Sequence, residues 1–297
     1  MKTVLVLTAG ILSISFSAIF IRFCNDVPPV TIAAYRLIIA SVILIAIAAF
    51  KKISLKGIGK KEILLSIVSA IFLSLHLLSW ITSLKLTSIT SSVVLVTTNP
   101  IFVAVFSYII FKEKQPKELI IGIILSVLGS GVLAIGDGGI SSLGIANKEA
   151  LIGDILALIG AIMASGYLIT GSIMREKMDT FKYILIVYPV TAVLLSIFLL
   201  FGNFKLTGFK TTSWLNIFLL GTVSQLIGHT AFNWALKHLK TSMVAISILG
   251  EPIGASILAF LFFKETISLT QFLGIICIFT AITIGSKKGK KQNLAVV

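Results

Sequence analysis

Residues 99–113, NPIFVAVFSYIIFKE, are echoed at 251–265, EPIGASILAFLFFKE. Pro100 and Ile101 fall on Pro252 and Ile253, and Phe111, Lys112 and Glu113 fall on Phe263, Lys264 and Glu265, all at a displacement of 152. Gly122, Ile123 and Ile124 carry the same register onto Gly274, Ile275 and Ile276. Upstream the displacement becomes 154, pairing Trp80 with Trp234 and Thr87-Ser88 with Thr241-Ser242. Self-similarity at this range marks a duplicated structural unit. Each quoted stretch opens on a polar residue followed by proline and then runs apolar to a Lys-Glu end.

The whole chain shares that apolar character. Of its 297 residues, 57% are hydrophobic and only 12% charged, with a mean hydropathy of +1.09. Soluble domains carry about 25% charged residues, so this composition excludes a water-soluble globule and calls for a bilayer. Ten apolar runs are long enough to cross one, at about 20 residues per crossing: Val4 to Phe23, Val30 to Phe50, Ile63 to Leu84, Ser88 to Phe111, Leu119 to Ile135, Leu151 to Ile173, Tyr183 to Phe201, Trp214 to Leu236, Ser242 to Phe263 and Leu269 to Gly285. The first follows Lys2 as a signal peptide would, yet it has full crossing length and no small-residue cleavage site. Ten crossings leave too little chain for a soluble catalytic domain. Cys24 and Cys277 lie far apart with no metal-ligand spacing, which argues against redox or metal chemistry.

The formal charge of +14 reads as topology rather than as a nucleic-acid footprint. Lys and Arg accumulate in cytoplasmic loops. With the N-terminus inside, eighteen of the 25 fall on that side: Lys2, Lys51, Lys52, Lys56, Lys60, Lys61, Lys112, Lys114, Lys117, Arg175, Lys177, Lys182, Lys237, Lys240, Lys287, Lys288, Lys290 and Lys291. Seven fall elsewhere: Arg22, Arg36, Lys85, Lys148, Lys205, Lys210 and Lys264. Both termini are therefore expected in the cytoplasm. Five crossings per copy is an odd number, so the second copy enters from the opposite face. The expected fold is an all-α integral membrane protein of ten transmembrane helices in two inverted five-helix repeats. Its units are residues 1–137, a connecting loop at 138–150 outside the cytoplasm, and 151–297 ending in a basic cytoplasmic tail. Inverted repeats recur in secondary transporters, where two similar halves enclose a site near mid-depth.

Polar side chains inside such a layer point to a cavity or to a specific partner. Glu251 lies nine residues into the ninth run, about 13 to 14 Å deep, and its repeat mate is Asn99. Pro100 and Pro252 break the helices there and release the carbonyls of Val96 and Ile248. Glu251 then has two readings: a proton carrier or ligand for a substrate ammonium group, or a neutral carboxyl bonded to a freed carbonyl. Thr222, Gln225, His229 and Asn233 are spaced as one helical stripe, expected to line a pathway or, as the alternative, to bond to another helix. His76 and Trp80 stand one turn apart and match the neighbourhood of His229 and Trp234; either they form an aromatic pocket or the tryptophans belong to interfacial belts. Tyr167 and Thr170 share a face, with Tyr188 on the next run. Arg36 is expected to snorkel to headgroups or pair with Asp26, with a substrate carboxylate as the alternative. The third, fourth, eighth and ninth crossings would enclose the site, with the first and sixth completing it.

Pro28-Pro29 followed by Ala33-Ala34-Tyr35-Arg36, the mid-helix Asn99-Pro100 and Glu251-Pro252, and the paired Phe-Lys-Glu ends resemble the EamA-type drug/metabolite transporter family, over nearly the whole chain. The resemblance implies ten helices in two inverted halves and transport of small organic solutes, commonly amino acids and related metabolites, outward across a bacterial inner membrane. Ser15-Phe16-Ser17 stand where that family often has Trp-Gly, so that tryptophan's role does not carry over. Candidate pathway residues are His76, Trp80, Asn99, Tyr167, Gln225, His229, Asn233 and Glu251, with Glu251 and His229 as carriers of a coupling proton. No cofactor, metal or nucleic acid is expected; the partners are a solute, lipid and protons, for a monomer or weak homodimer. No P-loop is present, so ATP is not the direct energy source. Proton-coupled efflux of drugs or organic cations is the alternative. A phosphorylated-metabolite carrier is disfavoured because the lysines sit at helix ends rather than converging. From other classes, a membrane metalloenzyme or a non-transporting scaffold would show bound zinc or no flux.

Overall fold

Hydrocarbon offers the backbone no hydrogen bonds, so a spanning chain satisfies its amides and carbonyls within helices. The computed structural model describes residues 2–111, 117–138, 148–175, 177–239 and 241–286, and among them there is no strand. The elements are α1 (Lys2–Phe23), α2 (Pro29–Phe50), α3 (Lys60–Leu86), α4 (Ile89–Val96), α5 (Asn99–Phe111), α6 (Lys117–Gly138), α7 (Lys148–Arg175), α8 (Thr180–Phe201), α9 (Thr211–Leu219), a π-helical segment (Leu220–His229), α10 (Thr230–Ala235), α11 (Thr241–Ser247), α12 (Gly250–Phe263) and α13 (Leu269–Ser286). Joined end to end, α4 with α5, α9 through α10, and α11 with α12 each make one rod, giving ten rods among the described residues. Eight of these are long and apolar enough to cross a membrane, and α13 holds a shorter apolar stretch, Leu269–Ala281. Lys112, Lys114, Glu113, the central part of the 138–150 loop and the basic tail with Lys287, Lys288, Lys290 and Lys291 lie outside the described residues.

Successive rods alternate in direction. One end of the bundle, the terminal end, holds the start of α1 and the end of α13; the other is the distal end. Large apolar side chains such as Leu12, Val42, Ile45, Leu128, Val193, Leu215, Ile257 and Phe260 face outward, as lipid allows. Inside, α3 packs along α7, α6 along α13 and α2 along α8. Small residues let α7 approach its neighbours closely, as is common where helices meet in lipid. A Cβ on Gly153 would come within 3.0 Å of the Thr87 backbone nitrogen, and one on Gly160 within 3.5 Å of Trp80 Cβ.

Both prolines stand just inside a second helical segment, each after a two-residue interruption: Thr97-Thr98 before α5, and Ile248-Leu249 before α12. The breaks follow from proline's missing N–H and its ring clash. The Ile248 carbonyl is not left over for a side chain, since the Glu251 amide donates to it at 2.8 Å. The break is thus closed by the backbone itself, without needing the Glu251 carboxyl.

At the distal end Asp26 ties the first loop to the start of α9. Its carboxylate accepts from Ser213 Oγ at 2.5 Å and from the Lys210 amide at 2.7 Å. Nearby, Thr31 donates to the Lys205 carbonyl at 3.0 Å and Tyr35 to that of Leu206 at 3.0 Å. The Ser213 hydroxyl and then the Lys210 amide hold Asp26 below the ordinary aspartate value of 3.8. Burial pushes the Cys24 thiol up to about 12, making it a poor nucleophile.

Two outcomes follow from this packing. Gly153→Val should lower stability by about 1–3 kcal/mol, read as a thermal shift in detergent, because the backbone of Thr87 has to move. A carboxylate with a depressed value contributes stability above its unfolded value and loses it as pH falls through the folded one. Thermal stability should therefore drop on acidification below 3.8, and Asp26→Asn should flatten that acid limb; identical acid limbs would show that the Asp26 contacts contribute nothing.

Candidate functional site: a cavity at the helix breaks

The interrupted helices converge on one cavity of about 60 Å³. Its wall draws on six rods: Ile14 and Ser17 from α1; His76 and Trp80 from α3; Val96, Thr97 and Asn99 from the α4–α5 break; Ala164, Tyr167 and Leu168 from α7; His229, Phe232 and Asn233 from the π segment and α10; and Ile248 and Glu251 from the α11–α12 break. Seven of the eight candidate residues are thus brought together.

Each polar wall group has a defined state. His76 Nδ1 donates to the Gly160 carbonyl at 3.0 Å, which leaves Nε2 as an acceptor in the neutral ring. The imidazole lies parallel to the Trp80 indole, with centroids 6.1 Å apart and planes 6° apart, and its centroid is 6.3 Å from that of His229. Trp80 is only 3% exposed, and its indole Nε1 has no hydrogen-bond partner. Asn99 Oδ1 is likewise buried without a partner. Asn233 donates to the Tyr167 hydroxyl at 2.6 Å and to the His229 carbonyl at 2.9 Å. Among the described residues Glu251 is the only carboxylate on the wall, and no lysine or arginine lines it.

The interfacial-belt reading therefore separates the two tryptophans. Trp80 sits on the cavity wall, whereas Trp234 stacks on His238 at 4.0 Å, away from the cavity. The polar stripe divides between its two readings. His229 and Asn233 reach the cavity, Gln225 bonds to Arg36 of α2 behind it, and Thr222 donates back to the Phe218 carbonyl at 2.8 Å, within a segment wound as a π-helix with i to i+5 bonds. Gly221 and Gly228 press the π segment against Ile39 of α2 and Ile14 of α1, at 2.8 and 2.6 Å from where a Cβ would stand.

Arg36 overturns its expectation most clearly. It neither snorkels nor meets Asp26, but is fully buried: Nε donates to Gln225 Oε1 at 2.8 Å and Nη1 to Ser17 Oγ at 3.2 Å, while Nη2 has no partner. Ser17 lies on the cavity wall, so the guanidinium sits directly behind it and interacts electrostatically with Glu251 across it. Tyr188 closes the same layer, its hydroxyl 3.5 Å from the Gln225 carbonyl. Thr170 donates to Ser69, which is also bonded to the Tyr183 hydroxyl, so Thr170 joins a structural network between α7, α3 and α8.

A lipid-spanning helical bundle with a largely apolar cavity, dotted with polar groups at paired helix breaks, is an arrangement suited to a membrane transporter. The chain belongs to the EamA-like transporter family, whose model matches residues 1–135 and again 151–286. It is similar to an uncharacterized transporter of Clostridium kluyveri, at 26% identity with 86% of this chain and 83% of that one covered. It is similar to another of Archaeoglobus fulgidus, at 25% identity with 89% and 90% covered, and to the uncharacterized transporter YetK of Bacillus subtilis, at 22% identity with 90% and 81% covered. A solved crystal structure shares the fold with a TM-score of 0.69, at 17% identity and 95% and 96% coverage.

The Arg36 contacts make a signed prediction. Gln225→Leu leaves a buried charge short of an acceptor and should lower stability by about 1.5–3 kcal/mol, whereas Gln225→Glu, which offers a full counter-charge, should not. Equal melting temperatures for Gln225→Leu and the wild type would show that this bond contributes nothing.

Proposed function

We propose that this chain is a secondary carrier that moves a small amphipathic solute bearing an ammonium group, an amino acid or related metabolite, by alternating access. The observation that carries the reading is the cavity wall. It presents the Glu251 carboxylate, the Asn99 oxygen and the His76 Nε2 acceptor beside the Trp80 and His76 rings, with Ile14, Val96, Leu168, Phe232 and Ile248 between them. Acceptors around one acid suit a donor-rich cation, and aromatic faces add cation–π attraction. Arg36 behind Ser17 supplies a positive field that suits a carboxylate on the same molecule.

Size and charge weigh against the other solutes. A cavity of about 60 Å³ suits a small solute better than a nucleotide sugar, and among the described residues no basic cluster converges on it for phosphate. Drug-sized cations need a wider conformation than this one. Proton coupling enters through Glu251, the wall's single acid, with His229 on the facing rod as the second candidate. The lysine distribution supports placing the terminal end in the cytoplasm of a bacterial cell, and export is the direction that family resemblance supports.

The test is a counterflow panel in proteoliposomes. Small amino acids and primary amines should exchange, whereas exchange restricted to phosphorylated solutes or large organic cations, or none at all, would reject the reading. Glu251→Gln should remove the pH dependence of flux while leaving the melting temperature near wild type. A pH profile unchanged by that substitution would exclude Glu251 as the proton carrier.

A further inference from the structure

Arg22 occupies the last turn of α1, and Arg175 the last turn of α7. Each closes the first helix of its copy, so the two hold matching places in the fold, although at 153 residues apart they fall one position off either repeat displacement. Because α1 and α7 cross in opposite directions, Arg22 lies at the distal end and Arg175 at the terminal end. Alike in place, they differ in what they touch.

Arg22 is engaged. Its Nη2 donates to the Thr87 carbonyl at 3.0 Å and stands 3.8 Å from Glu265 Oε2. Glu265 in turn accepts the backbone amides of Ile89 at 3.2 Å and Thr90 at 3.0 Å, while Ser88 Oγ accepts that of Ser91 at 3.0 Å. The opening amides of a helix lack partners within it and favour an anion, so Glu265 binds the start of α4 and Arg22 together. Three segments are clasped: the end of α1, the α3–α4 link and the end of α12. Phe23 packs on Phe262 and Phe263 beside them, with ring centroids 5.8 and 4.9 Å away. Lys85 Nζ also donates to the Cys24 carbonyl, tying α3 to the end of α1.

Arg175 is disengaged. It is 4% exposed, yet among the described residues none of its three guanidinium nitrogens has a hydrogen-bond partner, and the group lies over the Tyr183 ring, 3.8 Å from the centroid. A guanidinium carries five N–H donors in a rigid fork, and burying them unmet is unfavourable. The wall between the cavity and the distal end is thus clasped by charge-assisted bonds, while the equivalent cation at the terminal end has none.

We propose that Arg22 and Glu265 are the gate residues of the distal face, latched in this conformation, and that Arg175 is the matching gate cation of the terminal face, engaged only in the alternate conformation. The proposal rests on the two-sided carrier reading. Opening the distal face breaks the Arg22–Glu265–α4 clasp; closing the terminal face gives Arg175 the acceptors it lacks here. The repeat makes the two halves of the cycle similar in kind, with one latch engaged in each.

A thiol reporter reads which face the cavity opens to, with no solute required. Ala164→Cys on the cavity wall, in a Cys24→Ser, Cys277→Ala background, is exposed to a membrane-impermeant maleimide from either side of sealed vesicles. The starting protein should label from the terminal side and only slowly from the distal side. Glu265→Ala and Arg22→Ala should each raise distal labelling about tenfold, the loss of one or two charge-assisted bonds, and Arg22→Lys should stay near the starting rate. Arg175→Ala should not raise distal labelling alone, and added to Glu265→Ala it should bring the rate back down, since it weakens the competing state. Unchanged distal labelling in both Glu265→Ala and Arg22→Ala, or a rise caused by Arg175→Ala, overturns the proposal. Glu265→Gln keeps the shape and one acceptor without the charge; it repeats the test should the alanine variant fold poorly. Distal access appearing in the starting protein when an exchanged solute is added, with Glu265→Ala and Glu265→Gln inert, rejects the latch alone. Access from one side only, in every variant and with every solute, rejects the carrier reading itself.

Discussion

A guanidinium that neither water nor lipid headgroups reach must find its acceptors in the protein, and Arg36 does so by joining three helices. Its bonds to Ser17 and Gln225 connect α1 and the π segment to α2 through one charged group. Much of the cavity's shape follows from that junction. Gln225 is held toward α2 by its bond to Arg36 and stays behind the cavity, while His229 and Asn233 reach its wall. Replacing a buried ionic cluster with apolar side chains of similar volume is often neutral or stabilising. Stability alone therefore does not explain why an arginine is kept here, whereas a fixed positive field behind a polar cavity does.

That field also gives the single wall carboxylate its meaning. Glu251 and Asn99 are repeat mates at paired breaks, and the substitution of an amide for an acid makes the two halves unequal at the one depth where they meet. With Arg36 behind one side of the cavity and Glu251 on its wall, the site is electrically balanced when the carboxylate is ionised and positive when it is protonated. A zwitterion entering such a site adds no net charge to a low-dielectric chamber. Its two charged groups find opposite partners, which is less costly than burying a lone ion.

The helices and the helix breaks were legible in the sequence because both depend on local rules. Apolar length sets the crossings, and Pro100 and Pro252 interrupt a helix wherever they sit inside one. The duplication was legible for the same reason, since it needs only identities at a constant spacing. What local rules miss is partnership between distant residues. Arg36 and Gln225 are 189 positions apart, and nothing near Arg36 in the chain shows that an amide will meet it, so the general habit of cations near helix ends prevailed. The stripe from Thr222 to Asn233 was legible as polar, but which of its members would meet the cavity and which another helix was not, because that depends on Arg36 of α2. Gly221 and Gly228, flanking Gln225 and marking close approach, were the available signal.

The same distinction between local and distant information bears on how a duplicated carrier can have two conformations without two sequences. Two copies of one helical plan, entering from opposite faces, carry equivalent cations at the ends of their first helices. In this arrangement of the rods Arg22 is near its acceptors and Arg175 is not. On the proposed two-sided cycle, antisymmetry would supply what a switch needs: two states of similar kind, each held by contacts the other lacks. The differences between the copies, Asn99 against Glu251 and Arg36 with no arginine matching it in the second copy, are then the places where the two states would be made unequal.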